Sequence, residues 1–507
     1  MHRLASALSL LLAVAACQSG PNVTLEGLED GTTLSAAAFD TLVATMVVPK
    51  GENATFLLDE RPVLAYNRGH GRFELRLDSL KDGEHTLRAV DASNRGPRWR
   101  FALDRTPPRL RVDTVSATGA RGPFTVRGTV SGADSLTATA PDGTRLAVEQ
   151  ADSTFAVAVP DANARRILLT ATDAAGNTAT RAVALAAGPM RGVHVTALGW
   201  TARSLREPIL RLVRAGAINT IQLDIKDEAG EIGYTSTVPL AGRIGANKNH
   251  YDARAVLDSL HAMGVRVVGR LVVFRDPILG RWAWTNDRQD WLVQTSSGQP
   301  FGGSYGSYAF TNPYADSVAA YNRALAEEAA RLGFDDVLLD YIRRPEGALS
   351  AMRFAGMPEG DSVEAGIARF VCQSAEAVHA LGAGYGVSVF GIAASRPWAV
   401  GQNIPALARC VDIVAPMVYP SHWGPGEYGV ANPNAMPYEI TYRSLLDFRD
   451  KVAGTDAEVV PWLQDFSLGV RYDATKVKAQ IQAAADAGMP SFLLWNAGAR
   501  YTAAALD

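Results

Sequence analysis

Two rhythms of hydrophobic and polar positions divide the chain. From residue 22 to about 187, apolar residues alternate with polar ones over short segments such as Arg72-Phe73-Glu74-Leu75-Arg76-Leu77, separated by Gly, Asp and Asn. Period-two alternation bounded by turn residues predicts half-buried strands and no convincing helix. From Arg191 onward, short apolar runs take turns with helical patterns. The runs predict strands at 192–196, 219–225, 265–274, 336–342, 385–391, 411–418, 458–464 and 491–495. The patterns between them predict helices at 204–216, 252–263, 315–332, 363–382, 403–410, 437–453 and 474–488. Continuous apolar runs suit parallel strands buried on both faces. Eight such strands alternating with helices predict a (β/α)8 TIM barrel, which usually takes ~250 residues plus insertions. A doubly wound open sheet is the other arrangement the alternation permits. No G-x-G-x-x-G follows any strand, so nucleotide binding lacks its usual support.

The all-β part repeats itself weakly. Phe73 in GRFELRL matches Phe155 in STFAVAV, and Leu87, Ala89 and Asp91 match Leu169, Ala171 and Asp173, every pair 82 residues apart. Two tandem modules follow, 22–106 and 107–187, jointed at Thr106-Pro107-Pro108. The stretch Asp173-Ala174-Ala175-Gly176-Asn177 resembles the closing hairpin of bacterial immunoglobulin-like domains, which implies two β-sandwiches. An Asp accepting from amides two residues on, with Gly-Asn supplying positive φ, explains the acidic residue without calcium. Such modules serve as spacers between a membrane and the last domain.

A chain of 507 residues exceeds a single core. Its 47% hydrophobic and 20% charged content and net charge of -3 are those of an ordinary soluble protein. No basic run interleaved with aromatics points to a nucleic-acid partner. The first residues differ: His2-Arg3 precedes an apolar run from Leu4 to Ala16, closed by Val14-Ala15-Ala16-Cys17. The run is too short to span a bilayer and reads as a signal peptide over residues 1–17. Its V-A-A-C ending resembles the bacterial lipobox, which implies lipid on Cys17 and an outer-membrane or cell-surface location. The acyl chains then form the membrane anchor, each buried CH₂ contributing about 0.8 kcal/mol. Cys372 and Cys410 remain, as buried free thiols or as one disulfide. No CxxC occurs, and His194 and His422 stand alone without an H-x-H pair, so no metal or other cofactor is expected.

A barrel gathers its chemistry where the βα loops meet, at the C-terminal ends of the strands. The stretch Gly333 to Pro345, GFDDVLLDYIRRP, turns abruptly from apolar residues to Asp340, Tyr341 and Arg343 at that end. A capping Asp paired with Arg343 would explain that stretch alone. The other strand ends add Asp224, Lys226, Asp227, Arg270, Tyr419, His422, Trp423, Gln464, Asp465 and Trp495, and eight of the nine Trp lie in this domain. Carboxylates ringed by Trp and Tyr suit sugars, whose C–H faces lie on aromatic planes while their hydroxyls take hydrogen bonds.

In order, QLDIKDEAGEIGY, RLVVFRDP, GFDDVLLDYIRRP, VGQNI, APMVYPSHW with GEYGVANPNAMPYE, and PWLQDF resemble the signature segments of a bacterial glycoside hydrolase family. The resemblance covers about residues 190–500 and implies a barrel related in fold to the α-amylase and other glycosidase groups. One position departs. Strand five of that family carries Asp two residues before its Phe-Gly, where this chain has Ser388. If relatives depend on that Asp, this protein is impaired or uses another acid.

Two-carboxyl glycosidase chemistry assigns Asp340 the role of nucleophile or base, since Tyr341 and Arg343 would keep it ionised. Asp224 is the first choice for the acid, with Asp227 and Asp465 behind it. Lys226, Arg270, Tyr419, His422 and Gln464 would orient sugar hydroxyls, with Tyr341 and Arg343 beside them, and Trp423 and Trp495 would stack. The chain reads as a monomeric, lipid-anchored glycoside hydrolase whose barrel spans 190–507 and acts on an envelope or extracellular polysaccharide. The competing class is a non-catalytic carbohydrate-binding or scaffolding lipoprotein. Whether two acids face one cleft separates the two.

Overall fold

The computed structural model describes residues 20–77, 80–117, 123–140, 143–160, 166–185 and 189–506; Cys17, with its expected lipid, lies outside them. The N-terminal strands form two sheets. One has the order Thr24–Glu26, Thr45–Val47, Arg72–Leu75, Ala65–Gly69, and the other Thr32–Leu34, Arg98–Leu103, Gly83–Val90, Thr55–Leu58, Arg61–Pro62. Met46 and Leu75 from the first sheet share one core with Phe56, Leu87 and Phe101 from the second. The next strands again make two sheets, one of Arg109–Ala117, Phe124–Ser131, Thr154–Val159 and Val148–Ala151. Its companion holds Arg145–Leu146, Ser135–Thr139, Arg166–Thr172 and Thr178–Ala184.

The 82-residue repeat is visible in side-chain roles. Leu87 and Ala89 are fully buried, as are Leu169 and Ala171. Asp91 Oδ1 accepts from the amides of Ser93 and Arg95, and Asp173 Oδ1 accepts from that of Asn177, each closing a turn. The expectation of no helix in this part is corrected by Ala36–Asp40. Three consecutive alanines follow Ser35, whose Oγ accepts from the Ala38 amide at 3.3 Å, so a cap and good helix formers coincide.

Contacts divide the chain into two compact units. One comprises residues up to Arg109 with Val130–Leu136 and Ala171–Ala179; the other comprises Leu110–Thr129, Thr137–Thr170 and Thr180–Asp507. Within the second, the buried Arg166 donates to the carbonyl of Ala330 at 3.2 Å and to that of Phe334. Its guanidinium thus satisfies backbone acceptors at the end of the helix Asp316–Leu332, where helices leave carbonyls unpaired. The compact unit that holds the barrel therefore recruits residues from before position 190.

From Arg191 the strands are β1 (Arg191–Val195), β2 (Thr220–Lys226), β3 (Arg266–Val272), β4 (Asp336–Asp340), β5 (Gly384–Phe390) and β6 (Ile413–Met417). They continue with β7 (Glu458–Val459 and Trp462–Gln464) and β8 (Phe492–Trp495). Each pairs in parallel with the next, and β8 pairs with β1, so the sheet closes into a barrel and the open-sheet alternative is excluded. Pro461 interrupts β7, because a residue without N–H cannot donate to the ladder; its carbonyl still accepts from Leu493 at 2.9 Å. Val268, Leu338, Ile413, Ala415, Trp462 and Leu493 belong to a core cluster of their own, contributed by five strands, the interrupted β7 among them. The seven expected helices are present, the fifth at Ile404–Ala408, and Asp316–Leu332 stops on Gly333 with φ 112. Four further helices occur among the described residues, Ala197–Thr201, Pro239–Arg243, Pro277–Thr285 and Pro397–Val400, and Pro277–Thr285 starts where Asp276 caps the amide of Leu279 at 2.8 Å. Among the described residues, no helix is long and apolar enough to cross a membrane.

Cys372, in the helix Val363–His379, and Cys410 form a disulfide with a Cα–Cα distance of 5.0 Å and a sequence separation of 38. The choice left open between free thiols and a bridge is thereby made. Closing a loop of that length restricts the unfolded chain by about 2–4 kcal/mol. We expect a Cys372→Ser/Cys410→Ser double variant to melt lower than the parent. A reductant should lower the parental melting temperature and leave that of the double variant where it is; an equal response of both would sink this account.

Candidate active site

The polar strand ends converge on one guanidinium. Arg270, on β3, is 2% exposed. Its Nε donates to Asp340 Oδ2 at 2.9 Å, with Nη2 2.8 Å from the same oxygen in an ion pair, and its Nη1 donates to Asp224 Oδ1 at 3.0 Å. Nη1 and Nη2 both reach Glu228 Oε2, each at 3.1 Å. Strand register places these groups: Arg270 is the ladder partner of Asp224 on β2, and Asp340 on β4 partners Val272, two residues further along β3. Burial works against the charge on Arg270, but Asp224, Asp340 and Glu228 outweigh it and raise its pKa well above the usual value.

The cavity above Arg270 has a volume of about 490 Å³. Asp340, Glu228 and Glu346 supply its carboxylates, and Tyr341, Tyr419, Trp423, Trp462 and Trp495 supply most of its apolar wall. Tyr305, Phe390 and His422 complete the ring of aromatic groups. Asp340 Oδ1 accepts from the amide of Tyr341 at 2.7 Å. Tyr341 has φ 51, in the left-handed region, a conformation that costs a bulky residue roughly 1–3 kcal/mol. Its hydroxyl accepts from Arg275 Nη1 at 2.8 Å, and Arg343 lies 4.8 Å from the ring centre, so two guanidinium groups hold the phenol. Trp423 closes one wall against Gly391. A Cβ on that glycine would stand 2.8 Å from the indole and 2.7 Å from the Met417 carbonyl, so no other residue fits without displacement. Burial keeps His422 below its ordinary pKa, leaving a neutral imidazole at the wall.

Seven of the expected residues line the cavity together: Asp340, Arg270, Tyr341, Tyr419, His422, Trp423 and Trp495. Others are placed elsewhere. Asp224, the first choice for the acid, is wholly buried; burial pushes its carboxyl up, but His194 and Arg270 hold it below the usual carboxylate range. A group that is ionised and shut off from the cavity is not placed to protonate a leaving group. Lys226 is turned aside by a register irregularity after Asp224 and donates to Asp276 at 2.7 Å and Asn322 at 2.8 Å, fully buried. Asp227 caps its own loop, accepting from the amides of Ala229 and Glu231 at 2.9 Å each. Asp465 is occupied by the amide and hydroxyl of Thr502 at 2.7 and 2.6 Å. Gln464 accepts from the Ser421 amide at 3.0 Å and so fixes the loop that carries His422. Arg343 does not hold Asp340; it donates to Tyr305 Oη at 3.0 Å, pairs with Glu346 at 3.1 Å and lies 4.4 Å from the Phe390 ring centre.

Three cavity groups escape a reading of strand ends. Glu228 directly follows the Asp224-Ile225-Lys226-Asp227 run, and the turn capped by Asp227 presents it to Arg270. Burial pushes its carboxyl up, and Arg270 pulls it below the usual range. An acid one residue beyond a run of polar strand-end residues was the available signal. Tyr305 and Glu346 sit in long loops with no periodicity, and they meet through a 3.0 Å hydrogen bond. Ser388, at the departing position of strand five, is 1% exposed and accepts from the indole N–H of Trp462 at 3.1 Å.

Asp227 has its carboxyl pushed from 3.8 up to about 6, by burial and by the charges of Asp224 and Glu228 acting against the amide bonds it accepts. A carboxyl raised on folding adds stability that is present below its unfolded pKa, ~4, and lost as pH rises through its folded one. Asp227→Asn keeps an oxygen for the two amides and cannot ionise. The melting temperature of this variant should therefore gain on the parent's as pH rises from about 4 to 7. A difference that stays flat over this range would show that Asp227 does not titrate there.

No curated protein matches the chain. Among solved structures, a hypothetical protein from Ruminiclostridium thermocellum is 29% identical, over 36% of this chain and 91% of its own, with a TM-score of 0.32. The PgaB glycoside hydrolase domain from Bordetella bronchiseptica is 15% identical, over 62% and 95% respectively, with a TM-score of 0.46. An α-galactosidase from Thermus thermophilus is 13% identical, over 86% and 90%, with a TM-score of 0.38. Likenesses of that depth carry no argument about substrate. Residues 192–501, which hold the barrel and the cavity, match the profile of a family described as "Putative glycosyl hydrolase domain", and the chain belongs to that family.

Proposed function

We propose that this glycosyl hydrolase family member cleaves an envelope or extracellular polysaccharide by a two-carboxylate mechanism. The supporting observation is that Asp340 and Glu228 face one cavity and share Arg270 Nη2, at 2.8 and 3.1 Å. A carbohydrate-binding protein without catalysis has no need of that pair. Their two oxygens stand no further apart than those distances laid end to end. That favours the ~5–5.5 Å spacing of a retaining pair over the ~6.5–9.5 Å that leaves room for a water.

In this reading Asp340 is the nucleophile, held and aimed by Arg270 and the Tyr341 amide. Glu228 is the acid and later the base. A sugar filling the cavity removes water from around Glu228, and that added burial raises its carboxyl against the pull of Arg270, which here holds it below the usual range. Trp423, Trp462 and Trp495 offer planes for pyranose faces, and Tyr419 and His422 offer polar atoms for hydroxyls. The two N-terminal pairs of sheets are spacers of immunoglobulin-like type, and Cys17 carries the lipid that anchors the chain at the outer membrane or cell surface.

Turnover by the full-length chain on a panel of envelope polysaccharides tests the chemistry. Asp340→Asn should cost about 10²–10⁴-fold in kcat. Its melting temperature should hold or rise, since a carboxylate kept for chemistry is often destabilising. Glu228→Gln should be nearly as slow on polysaccharide and recover in part on an aryl glycoside with a good leaving group, while Asp340→Asn should not recover. Near-parental turnover of Asp340→Asn removes it from the mechanism, and rescue of neither variant removes Glu228 as the acid. For the anchor, Cys17→Ser should move the protein from the membrane fraction to the soluble one; retention in membranes would disprove lipidation at this position.

A further inference from the structure

His194, on β1, is 1% exposed, and the proposed reaction makes no use of it. Its Nε2 lies 2.9 Å from Asp224 Oδ1. Asp224 is held ionised and so only accepts, which puts the hydrogen on His194 Nε2. The same oxygen accepts from Arg270 Nη1, while Asp224 Oδ2 is buried without a partner. Both donors thus act on a single oxygen of the carboxylate. The imidazole also lies face to face with Trp495, ring centres 4.3 Å apart at 26°, and the Arg270 guanidinium carbon lies 5.4 Å from the centre of the same indole. His194 therefore touches two of the groups that hold Arg270. Tyr501 fixes it from behind, its hydroxyl donating to the His194 carbonyl at 2.5 Å. The titratable groups around this chain of contacts are Asp224 and Tyr501 beside His194, Tyr251 and Asp227 beside Asp224, and Glu228, Asp340, Tyr341 and Tyr419 beyond Arg270.

We infer that His194 is a positioning residue: by fixing Asp224 and bracing Trp495 it holds Arg270 against Asp340, through three successive hydrogen bonds and without touching substrate. The reasoning is one of competition. Arg270 divides its N–H groups among three carboxylates. Without the His194 N–H, Asp224 keeps Arg270 as its only side-chain donor and draws the guanidinium away from Asp340. A carboxylate that loses its cation takes up protons more readily. For its kinetic readout the inference rests on the hydrolase reading; a second readout is independent of it.

Two variants separate the donor from the ring. His194→Phe keeps the stack on Trp495 and removes the N–H, whereas His194→Gln removes the stack and offers an amide N–H. On a polysaccharide the parent hydrolyses, His194→Phe should lower kcat on the order of 10- to 10²-fold, the usual cost of a misplaced group, with KM within about twofold. The acid limb of its kcat/KM profile should move to higher pH, and His194→Gln should return the limb to its parental position. A raised KM at unchanged kcat, or the same limb shift in both variants, would overturn the inference. The second readout is the pH titration of the Asp340 carboxyl by ¹³C NMR, its signal assigned by its loss in Asp340→Asn. Its midpoint should rise in His194→Phe and stay parental in His194→Gln; a parental midpoint in His194→Phe overturns the inference whether or not any sugar is cleaved. A shifted midpoint in a chain that hydrolyses nothing overturns the hydrolase reading alone. Should His194→Phe not fold, His194→Asn, whose shorter amide does not reach Asp224, takes its place in both measurements.

Discussion

One guanidinium serves three carboxylates at the mouth of this barrel, and the arrangement of the site follows from that shortage of positive charge. Buried charges persist only when they are paired. Asp224, Glu228 and Asp340 come from two strands and one loop, and each is held in place by the same side chain. Removing the cation of such a buried cluster typically costs about 3–5 kcal/mol, because its anions are left uncompensated. Arg270 is thus both the electrostatic anchor of the cavity and the reason that its acids cannot be considered one at a time. The left-handed backbone at Tyr341 belongs to the same arrangement, since the Tyr341 amide supplies the remaining hydrogen bond to Asp340.

Most of the fold was legible in the sequence because burial on both faces leaves a mark that needs no alignment. Runs such as Val337-Leu338-Leu339 have no polar face to offer, so they read as parallel strands, and β4 is buried over its whole length. Gly333 read as a helix stop because few other residues accept φ 112 cheaply. The repeat was legible through Asp91 and Asp173, which do the same turn-closing work in each copy. Local effects that no period records were missed. Helix Pro277–Thr285 begins with a cap inside what read as a long connection, and Pro461 divides a strand that looked continuous.

The site was only partly legible, for a geometric reason. Listing polar residues at strand ends assumes that alternation continues to the last residue. It holds for Asp340 and Arg270, and it fails on β2, where the register slips between Asp224 and Lys226. There the side chain expected to meet sugar is instead a buried counterion for Asp276, and the acid that reaches the cavity lies in the following loop. Charge was legible while direction was not. The role given to Arg343 shows the same limit: nearness in sequence to Asp340 suggested a pair, but Arg343 packs among Tyr305, Tyr341 and Phe390, and the pairing fell to a residue seventy positions away.

Ser388 gives the clearest view of how such a site accommodates change. The family resemblance leads one to expect an aspartate there, and the serine hydroxyl instead accepts the indole N–H of Trp462. At that spot on β5 a neutral oxygen supplies the lone pair that orients an aromatic plane. The substitution leaves the interior one negative charge lighter. It adds no further acid to a barrel in which a single arginine already answers to three. A neutral acceptor at position 388 thus orients the tryptophan without adding an anion to that interior.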